Sequence, residues 1–268
     1  MTDDMREVLL GILAAGITAA LGWFARTYLW RRGLRRRQRF FGLLPHADCL
    51  LVVNRDPAAA DWSVARRDVF ALLELSALIK DCGANADIVT HDTALQGFGE
   101  RTEFCVGGPA SNVRTAAHLQ SLLPGVVVDL SAEPGPGRAA FTIGGERHLM
   151  EKGAAEYVLL ARLTAGGGVE TRPVFLIAGQ SGITNQAAAR YLARHQSRLI
   201  RRYGRKGTFC LLLKVLNSAA YGPDVVELVG DVTRAATTRP PRTGDAEDGE
   251  PESGARSGMD TQSSESSA

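Results

Sequence analysis

Two loops rich in glycine and small polar residues are the strongest candidates for chemistry in this sequence. The first is Gly107-Gly108-Pro109-Ala110-Ser111-Asn112 and the second is Gly179-Gln180-Ser181-Gly182-Ile183-Thr184-Asn185, and each follows an apolar run. Glycine lets the backbone pass close to a ligand, and the first free amides of a following helix point toward an anion. We therefore predict a binding site for a small anion. Its expected residues are Asn54, Gly107, Gly108, Ser111, Asn112, Gly179, Ser181 and Gly182.

The pattern of these loops excludes several standard activities and leaves one structural alternative open. The first loop is not GxGxxG and the sequence contains no GxxxxGK[ST], which excludes a Walker-type ATPase. The second loop approaches the nucleophile elbow GxSxG, but Ile183 takes the place of the second glycine. His195 lies in the helix that is predicted to follow this loop. From that position it cannot easily serve Ser181 as a base. The alternative is that each loop only forms a tight turn from strand to helix, with Asn112 as a cap.

The titratable residues mark no catalytic centre. Glycosidic cleavage of a nucleotide cofactor needs one well-placed carboxylate beside a Rossmann-like pocket. None stands out among Glu74, Glu146, Glu151 and Glu156. The four cysteines form no CxxC pair, so we expect buried, reduced thiols. The catalytic residues and the question of enzyme activity therefore stay open, and neither a metal site nor a cofactor is predicted.

Alternating strand and helix patterns surround the two loops. Apolar, β-branched runs predict strands at 48–56, 86–92, 102–108, 125–131, 207–217 and 224–232, and two more strands joined by Gly166-Gly167-Gly168. Helices are expected from a Ser63 N-cap to Gly83, from Val113 to Leu123 and from Thr184 to Tyr203. This order predicts an α/β, Rossmann-like domain with a mostly parallel sheet and helices on both faces.

An apolar segment near the N-terminus predicts a membrane anchor. Val8–Ala25 contains eighteen residues without a charge, which span about 27 Å as a helix and so match the hydrocarbon core of a bilayer. Six arginines follow this segment: Arg31, Arg32, Arg35, Arg36, Arg37 and Arg39. The positive-inside rule then places the N-terminus outside and the rest of the chain in the cytoplasm. A cleaved signal peptide is the alternative, but its positive charge would precede the apolar segment.

Charge and composition divide the chain into four expected parts. These are a transmembrane anchor (1–30), a basic juxtamembrane connector (31–47), the Rossmann-like domain (48–233) and a disordered acidic and polar tail (234–268). We expect the arginines to contact anionic lipid headgroups. A net charge of +2 over 268 residues disfavours nucleic-acid binding. Gly11, Ala15 and Ala19 recur at four-residue spacing, which makes a homodimer through this helix a further hypothesis.

The two loops also resemble a known pattern. The run FCVGGPASNVRTAAHL, followed by VFLIAGQSGITNQAAARYLARH, resembles poorly characterised bacterial Rossmann-like domains that sense nucleotides or metabolites through a GGPxxN loop. Gly107, Gly108, Pro109 and Asn112 match that loop, while Thr184-Asn185 stands where a Gly-Thr pair is expected. The resemblance covers residues 48–232 and implies ligand binding without an established catalytic residue.

These observations together predict a single-pass protein of the bacterial inner membrane. Its cytoplasmic domain would bind a small anionic, nucleotide-like ligand and act as a sensor or effector. Two alternatives remain. The first is an enzyme that hydrolyses or transfers a group on a nucleotide or an NAD-like substrate, and the second is a non-catalytic membrane scaffold.

Overall fold

The computed structural model describes residues 3–54, 63–93, 98–131, 137, 139–164, 171–204 and 206–239. The strands are β1 (Asp48–Val53), β2 (Asn85–Thr90), β3 (Glu103–Val106), β4 (Val126–Val128), β5 (Phe141–Ile143), β6 (Glu146–His148), β7 (Ala155–Thr164), β8 (Pro173–Gly179), β9 (Phe209–Leu216) and β10 (Val226–Asp231). The helices are α1 (Asp3–Phe41), α2 (Arg66–Asp81), α3 (Val113–Leu122), α4 (Gly182–Tyr203), α5 (Ser218–Tyr221) and α6 (Thr233–Thr237). The α/β class predicted from the sequence is confirmed.

The apolar N-terminal segment and the arginine-rich stretch after it form one continuous helix. α1 has 39 residues, which corresponds to a length of about 58 Å. The expected connector at 31–47 is helical as far as Phe41, and the helix ends at Gly42, whose φ of +67° favours glycine. The large apolar side chains between Val8 and Trp30 are exposed. The helix is long and apolar enough to be a membrane anchor or a signal sequence.

The last turn of α1 belongs to the hydrophobic core. Phe40 and Phe41 are fully buried, and their ring centroids lie 6.0 and 5.3 Å from that of Phe175. The carbonyl of Phe40 accepts a hydrogen bond from Arg162 Nε at 3.0 Å, and that of Phe41 accepts one from Thr102 Oγ1 at 3.2 Å. Burial lowers the pKa of the Arg162 guanidinium to about 10. Packed side chains, rather than a free linker, therefore join α1 to the sheet.

The main sheet is mixed, which corrects the prediction of a mostly parallel sheet. Its order is β10-β9-β7-β8-β3-β1-β2, and only β2, β1, β3 and β8 form a parallel set. β7 pairs antiparallel with β8 and β9, and β10 pairs antiparallel with β9. A parallel pair needs a crossover of about a dozen residues or more. The connections at 165–172 and 217–225 are shorter than that, so the strands they join must run in opposite directions.

Helices cover both faces of the main sheet, and one face carries a small second sheet as well. The first face packs against α2, α4 and the end of α1. The second face packs against α3, α6 and a three-stranded antiparallel sheet in the order β4-β5-β6. The segment 125–131, predicted as a strand of the main sheet, contributes β4 to this smaller sheet instead. The β5–β6 hairpin supplies its partner, turning at Gly144 and Gly145 with φ of +60° and +88°.

The start of α2 differs from the sequence-based expectation, whereas its end agrees with it. Ser63 was expected to cap α2, but the N-cap is Ala65, which makes no side-chain cap, because the helix starts three residues after Ser63. The expected stop at Gly83 is confirmed, since α2 ends at Asp81 and Gly83 has a φ of +76°.

A short helix stands where the sequence predicted the start of the disordered tail. α6 extends into the segment 234–268, and its Ala236 is fully buried in the core of the second face. The rest of the predicted tail, residues 240–268, lies outside the described residues.

The end of α1 and the two glycine-containing loops lie at opposite ends of the parallel strands. The carbonyl of Gly42 accepts hydrogen bonds from Thr102, just before β3, and from Arg172, just before β8. The end of α1 therefore lies at the amino edge of the parallel strands, whereas the loops follow the carboxyl ends of β3 and β8. The six residues of β1 separate the two edges by about 20 Å.

Candidate functional site

A pocket of about 600 Å³ lies at the carboxyl edge of the parallel strands, and we call it the strand-end pocket. The loops after β1, β3 and β8 form one side, and residues of the small sheet and its connections form the other. Six of the eight predicted ligand-binding residues line it: Asn54, Gly108, Ser111, Gly179, Ser181 and Gly182. The order of the parallel strands brings these residues together although they lie far apart in the sequence.

The other two predicted residues support the wall of the pocket from behind. Gly107 has a φ of +111°, and a Cβ at this position would lie 3.1 Å from both Cβ and Cγ of Asn54. Asn112 is fully buried and caps α3: its Oδ1 accepts from the N–H groups of Arg114 and Thr115, and its Nδ2 donates to the carbonyl of Val106. The hydrogen bonds of Asn112 thus hold the turn in place.

Three helices begin at the strand-end pocket. α2, α3 and α4 follow β1, β3 and β8 respectively, and Arg67, Ser111 and Gly182 from their starts line the pocket. The first N–H groups of a helix have no acceptor inside that helix, and each helix adds a partial positive charge of about half an elementary charge at its N-terminus. Ser181 caps α4 in a capping box with Thr184. The convergence of these helix starts favours a negatively charged group in the pocket.

A buried carboxylate, Asp68, connects the loops behind the pocket. Its Oδ2 accepts from Asn54 Nδ2 at 2.9 Å, and its Oδ1 accepts from Asn185 Nδ2 at 2.8 Å. Asn185 Oδ1 in turn accepts from the backbone N–H of Gly179 at 2.9 Å. The starts of α2 and α4 and the ends of β1 and β8 are therefore held together by one polar network.

Sequence reasoning missed Asp68, although the sequence contained a signal. Asp68 precedes Leu72 by four residues and Leu75 by seven, so it continues the stripe of α2 that faces the core. An ionisable residue on such a stripe needs a buried partner, and this requirement would have marked it as part of a site.

Glu156, on β7, is the second carboxylate that the fold brings to the pocket. It is 2% exposed. Its Oε1 accepts from Ser218 Oγ at 2.6 Å and from the N–H of Gly153 at 2.9 Å, and its Oε2 accepts from Ser181 Oγ. Burial acts to raise the pKa of this carboxyl, but these hydrogen bonds outweigh it and lower the pKa below its usual value. Glu156 is thus an ionised carboxylate fixed in the wall.

The remaining glutamates considered from the sequence have other surroundings. Glu74 forms an ion pair with Arg190 at 2.8 Å. Glu146 is highly exposed, with a side-chain exposure of 77%. Glu151 is also exposed and forms an isolated bridge with Ala155. Only the fold separates Glu156 from these three, because it depends on the pairing of β7 with β8.

The strand-end pocket carries charges of both signs. Arg67 and Lys152 line it together with Asp68, Asp129 and Glu156. Asp129 accepts a hydrogen bond from Arg147 Nη2 at 2.9 Å. A ligand that fits this wall therefore needs a negative group together with hydrogen-bond donors.

A second cluster of buried polar residues joins β3 to α3. One ligand atom from each of Glu103, Cys105 and His118 lies within 4.8 Å of the others, so the three could hold a metal ion. Arg114, however, donates to both carboxylate oxygens of Glu103, at 2.6 and 2.7 Å. Burial acts to raise the pKa of Glu103, but the hydrogen bonds from His118, Arg114 and Cys105 outweigh it and lower the pKa to about 2. The guanidinium already neutralises this carboxylate, so the geometry describes an ion-pair cluster that stabilises the fold.

A larger groove of about 960 Å³ lies between the small sheet, β10 and α6. Its lining is mainly apolar and glycine-rich, and includes Val127, Ile143 and Val229. Asp231 in this groove already accepts hydrogen bonds from Tyr203 and Thr233. The strand-end pocket, which combines helix N-termini with fixed carboxylates, is the better candidate for a functional site.

The six arginines predicted to lie at the membrane surface belong to the second half of α1. Arg31, Arg35 and Arg39 form one row at four-residue spacing, Arg32 and Arg36 form another, and all five are exposed. The sixth arginine, Arg37, is partly buried. Trp23, Phe24 and Tyr28 are exposed one or two turns earlier in the helix. Aromatic and then positively charged side chains thus follow each other along α1.

The assignment of a function to this chain rests on the physical features of the fold and of the pocket. Comparison of the chain with protein-family models, with curated proteins and with solved structures gives no match. The resemblance to nucleotide- or metabolite-sensing domains with a GGPxxN loop therefore stays a hypothesis, which rests on the residues of the strand-end pocket.

Proposed function

We propose that the protein is a single-pass membrane protein of the bacterial inner membrane whose Rossmann-like domain lies in the cytoplasm. The exposed apolar surface of α1 supports a membrane anchor, and the arginines after it support a cytoplasmic position for the domain. The last turn of α1 is part of the domain core, which favours a retained anchor over a cleaved signal peptide. Fusions of alkaline phosphatase and of green fluorescent protein to the C-terminus test the topology. Phosphatase activity in the periplasm would contradict it.

The arginine rows of α1 support contact with anionic lipid headgroups. Like charges at four-residue spacing repel each other within a helix, and lipid phosphates would relieve this repulsion at about 1 kcal/mol per arginine near the surface. We expect the full-length protein to be more stable to heat in nanodiscs that contain phosphatidylglycerol than in nanodiscs of phosphatidylcholine alone. Replacement of Arg31, Arg32, Arg35 and Arg36 by glutamine should remove this difference, and an unchanged difference would contradict the contact.

The domain binds a small anionic, nucleotide-like ligand in the strand-end pocket and acts as a sensor or effector. The observation that carries this proposal is the convergence of the N-termini of α2, α3 and α4 on one pocket of about 600 Å³. Such a volume suits a molecule of nucleotide size. The helix starts and Arg67 would hold the phosphate, and the carboxylates and amides of the wall would accept hydrogen bonds from the sugar and base. Because the pocket lies at the edge away from α1, the ligand would come from solution.

A thermal-unfolding screen of the full-length protein in detergent tests the proposal. A ligand at 100 times its Kd should stabilise the protein by about 2.7 kcal/mol. Ser111→Asp places a negative charge in the pocket and should weaken binding at least tenfold, whereas Ser121→Asp, at an exposed position of α3, should leave binding unchanged. If no nucleotide, dinucleotide or sugar phosphate shifts the transition, the ligand-binding function is wrong and the scaffold alternative remains.

An enzyme acting on a nucleotide or NAD-like substrate is the second candidate, and Glu156 is the observation that favours it. An ionised, immobilised carboxylate in a pocket can stabilise positive charge that develops on a sugar ring. Glu156→Gln should then abolish turnover while the ligand still binds, and Glu146→Gln should change neither. Stabilisation by a ligand that the protein does not consume would contradict the enzyme and support the sensor.

A further inference from the structure

We infer that the strand-end pocket recognises a sugar hydroxyl of its ligand through the side-chain oxygen of Asn54. This inference rests on the ligand-binding function proposed above and names the chemical class of the ligand as a phosphorylated sugar. The observation behind it is a buried acceptor: Asn54 is 7% exposed, it lines the pocket, and its Oδ1 has no hydrogen-bond partner among the described residues.

The surrounding network fixes which end of the Asn54 amide is free. The backbone N–H of Gly179 can only donate, so Asn185 must present its Oδ1 to Gly179 and its Nδ2 to Asp68. Asp68 accepts from Asn185 through Oδ1 and from Asn54 Nδ2 through Oδ2, so the donor end of the Asn54 amide faces Asp68. The same Nδ2 lies 3.3 Å from Ser111 Oγ. The orientation of the Asn54 amide is therefore determined by its neighbours, and Oδ1 has no donor within the described part of the chain.

Gly107 keeps this arrangement in place from the other side. Its φ of +111° carries the end of β3 across the Asn54 side chain, where even a methyl group would come within 3.1 Å of Cβ and Cγ. The glycine therefore leaves the room that the Asn54 side chain occupies, and any larger residue at position 107 would press on it. A buried acceptor that is held rigid and left unpaired is costly to the free protein, and a ligand with a donor group removes that cost.

The hydrogen-bonding capacity of Asn54 Oδ1 determines which part of the ligand it can bind. A carbonyl oxygen cannot pair with an ionised phosphate, which offers only acceptors, whereas a hydroxyl can donate to it. The same hydroxyl can accept from one of the free N–H groups at the start of α4, whose Gly182 lines the pocket with Asn54. A phosphate at the helix N-termini with a sugar hydroxyl on Asn54 would therefore satisfy both features of the pocket at once.

Affinities of matched nucleotides for the full-length protein in detergent test the inference. The probes are the four common ribonucleoside 5′-monophosphates, their 2′,3′-dideoxy counterparts and inorganic phosphate. We expect the wild-type protein to prefer the ribonucleotide over its dideoxy counterpart by about five- to tenfold, the usual effect of one neutral hydrogen bond. In Asn54→Ala the preference should disappear, because the sugar hydroxyl of the ribonucleotide no longer finds an acceptor at this position.

Controls keep the outcome interpretable. Asn85→Ala removes an exposed asparagine at the opposite edge of the sheet and should retain the preference. If Asn54→Ala does not fold, Asn54→Ser supplies a hydroxyl that can still donate to Asp68, while its single oxygen lies one bond nearer to the backbone than Oδ1. Equal affinity of the wild-type protein for both nucleotides would overturn the inference and leave the anion-binding function standing. A preference that persists in the Asn54 variants would overturn the role of Asn54, and no binding of any probe would overturn both proposals.

Discussion

Asp68, in the first turn of α2, is joined to Asn185, in the first turn of α4, by a hydrogen bond of 2.8 Å between Oδ1 and Nδ2, although 117 positions separate the two residues in the sequence. Both residues are almost completely buried. α2 and α4 pack closely here, because a Cβ on Gly182 would lie only 2.7 Å from the Cβ of Arg67. The hydrogen bond thus fixes the relative position of two helix N-termini at the mouth of the pocket.

We expect Asp68→Asn to destabilise the protein by about 3 kcal/mol. The change replaces one acceptor oxygen with an NH₂ group that faces an amide donor, and a buried donor left without an acceptor costs about 1–3 kcal/mol. Chemical denaturation of the full-length protein in detergent measures the loss. The control is Asp81→Asn, which lies exposed in the last turn of the same helix and should be neutral or slightly stabilising. Similar losses in the two variants would contradict a special role for Asp68.

Gly107→Ala should cost about 1–3 kcal/mol of stability because a non-glycine residue at a φ of +111° is strained. It should also weaken ligand binding, since the new methyl group would press on Asn54. Gly145→Ala is the matched control: its φ of +88° is strained too, but apart from its two chain neighbours no described residue has an atom within 4 Å of the added Cβ. The difference between the two variants measures the contact with Asn54, and equal effects on binding would show that this contact is unimportant.

Stability should fall with acid in a way that depends on Glu103. The pKa of this carboxyl is lowered from 4.5 to about 2 in the folded protein, so the unfolded chain binds the proton more readily. The stabilisation is therefore complete above about pH 5 and is lost as the pH falls toward 2, with a total on the order of 3 kcal/mol. Glu103→Gln should flatten the dependence of the unfolding free energy on pH in this range. Exposed Glu146→Gln should leave the slope unchanged, and a slope that survives in Glu103→Gln would assign it to other carboxyls.

The site at which the chain is truncated should decide whether the sheet domain folds without its N-terminal segment. A fragment of residues 44–239 lacks Phe40, Phe41 and Leu43, which are at most 1% exposed, and loss of a buried phenylalanine costs about 3–5 kcal/mol. We expect this fragment to aggregate or unfold, whereas residues 27–239 should give a soluble, cooperatively unfolding protein. Analytical size exclusion and thermal unfolding compare them. A stable fragment 44–239 would show that the end of α1 contributes little to the core.

Local patterns in the sequence predicted the elements near the pocket better than their arrangement. The strand-to-helix loops at Gly107 and Gly179 were predicted because glycine and helix starts leave a local mark. Glu156 could not be distinguished from other glutamates, since its position depends on long-range pairing between β7 and its neighbours. The length of α1 was also missed: residues 31–47 were expected to form a connector, but the helix continues to Phe41, and the core contacts of Phe40 were not visible in the chain alone.

Because α1 is one uninterrupted helix, it fixes how the sheet is rotated about the helix axis relative to the apolar half of α1. A helix advances about 1.5 Å and turns about 100° with each residue. One residue inserted between Ala25 and Phe40 would therefore rotate the whole sheet by about 100° around the axis of the helix, and seven would return it to nearly the same bearing. The direction in which the domain faces its surroundings is thus encoded in the number of residues in this stretch, as much as in their identity.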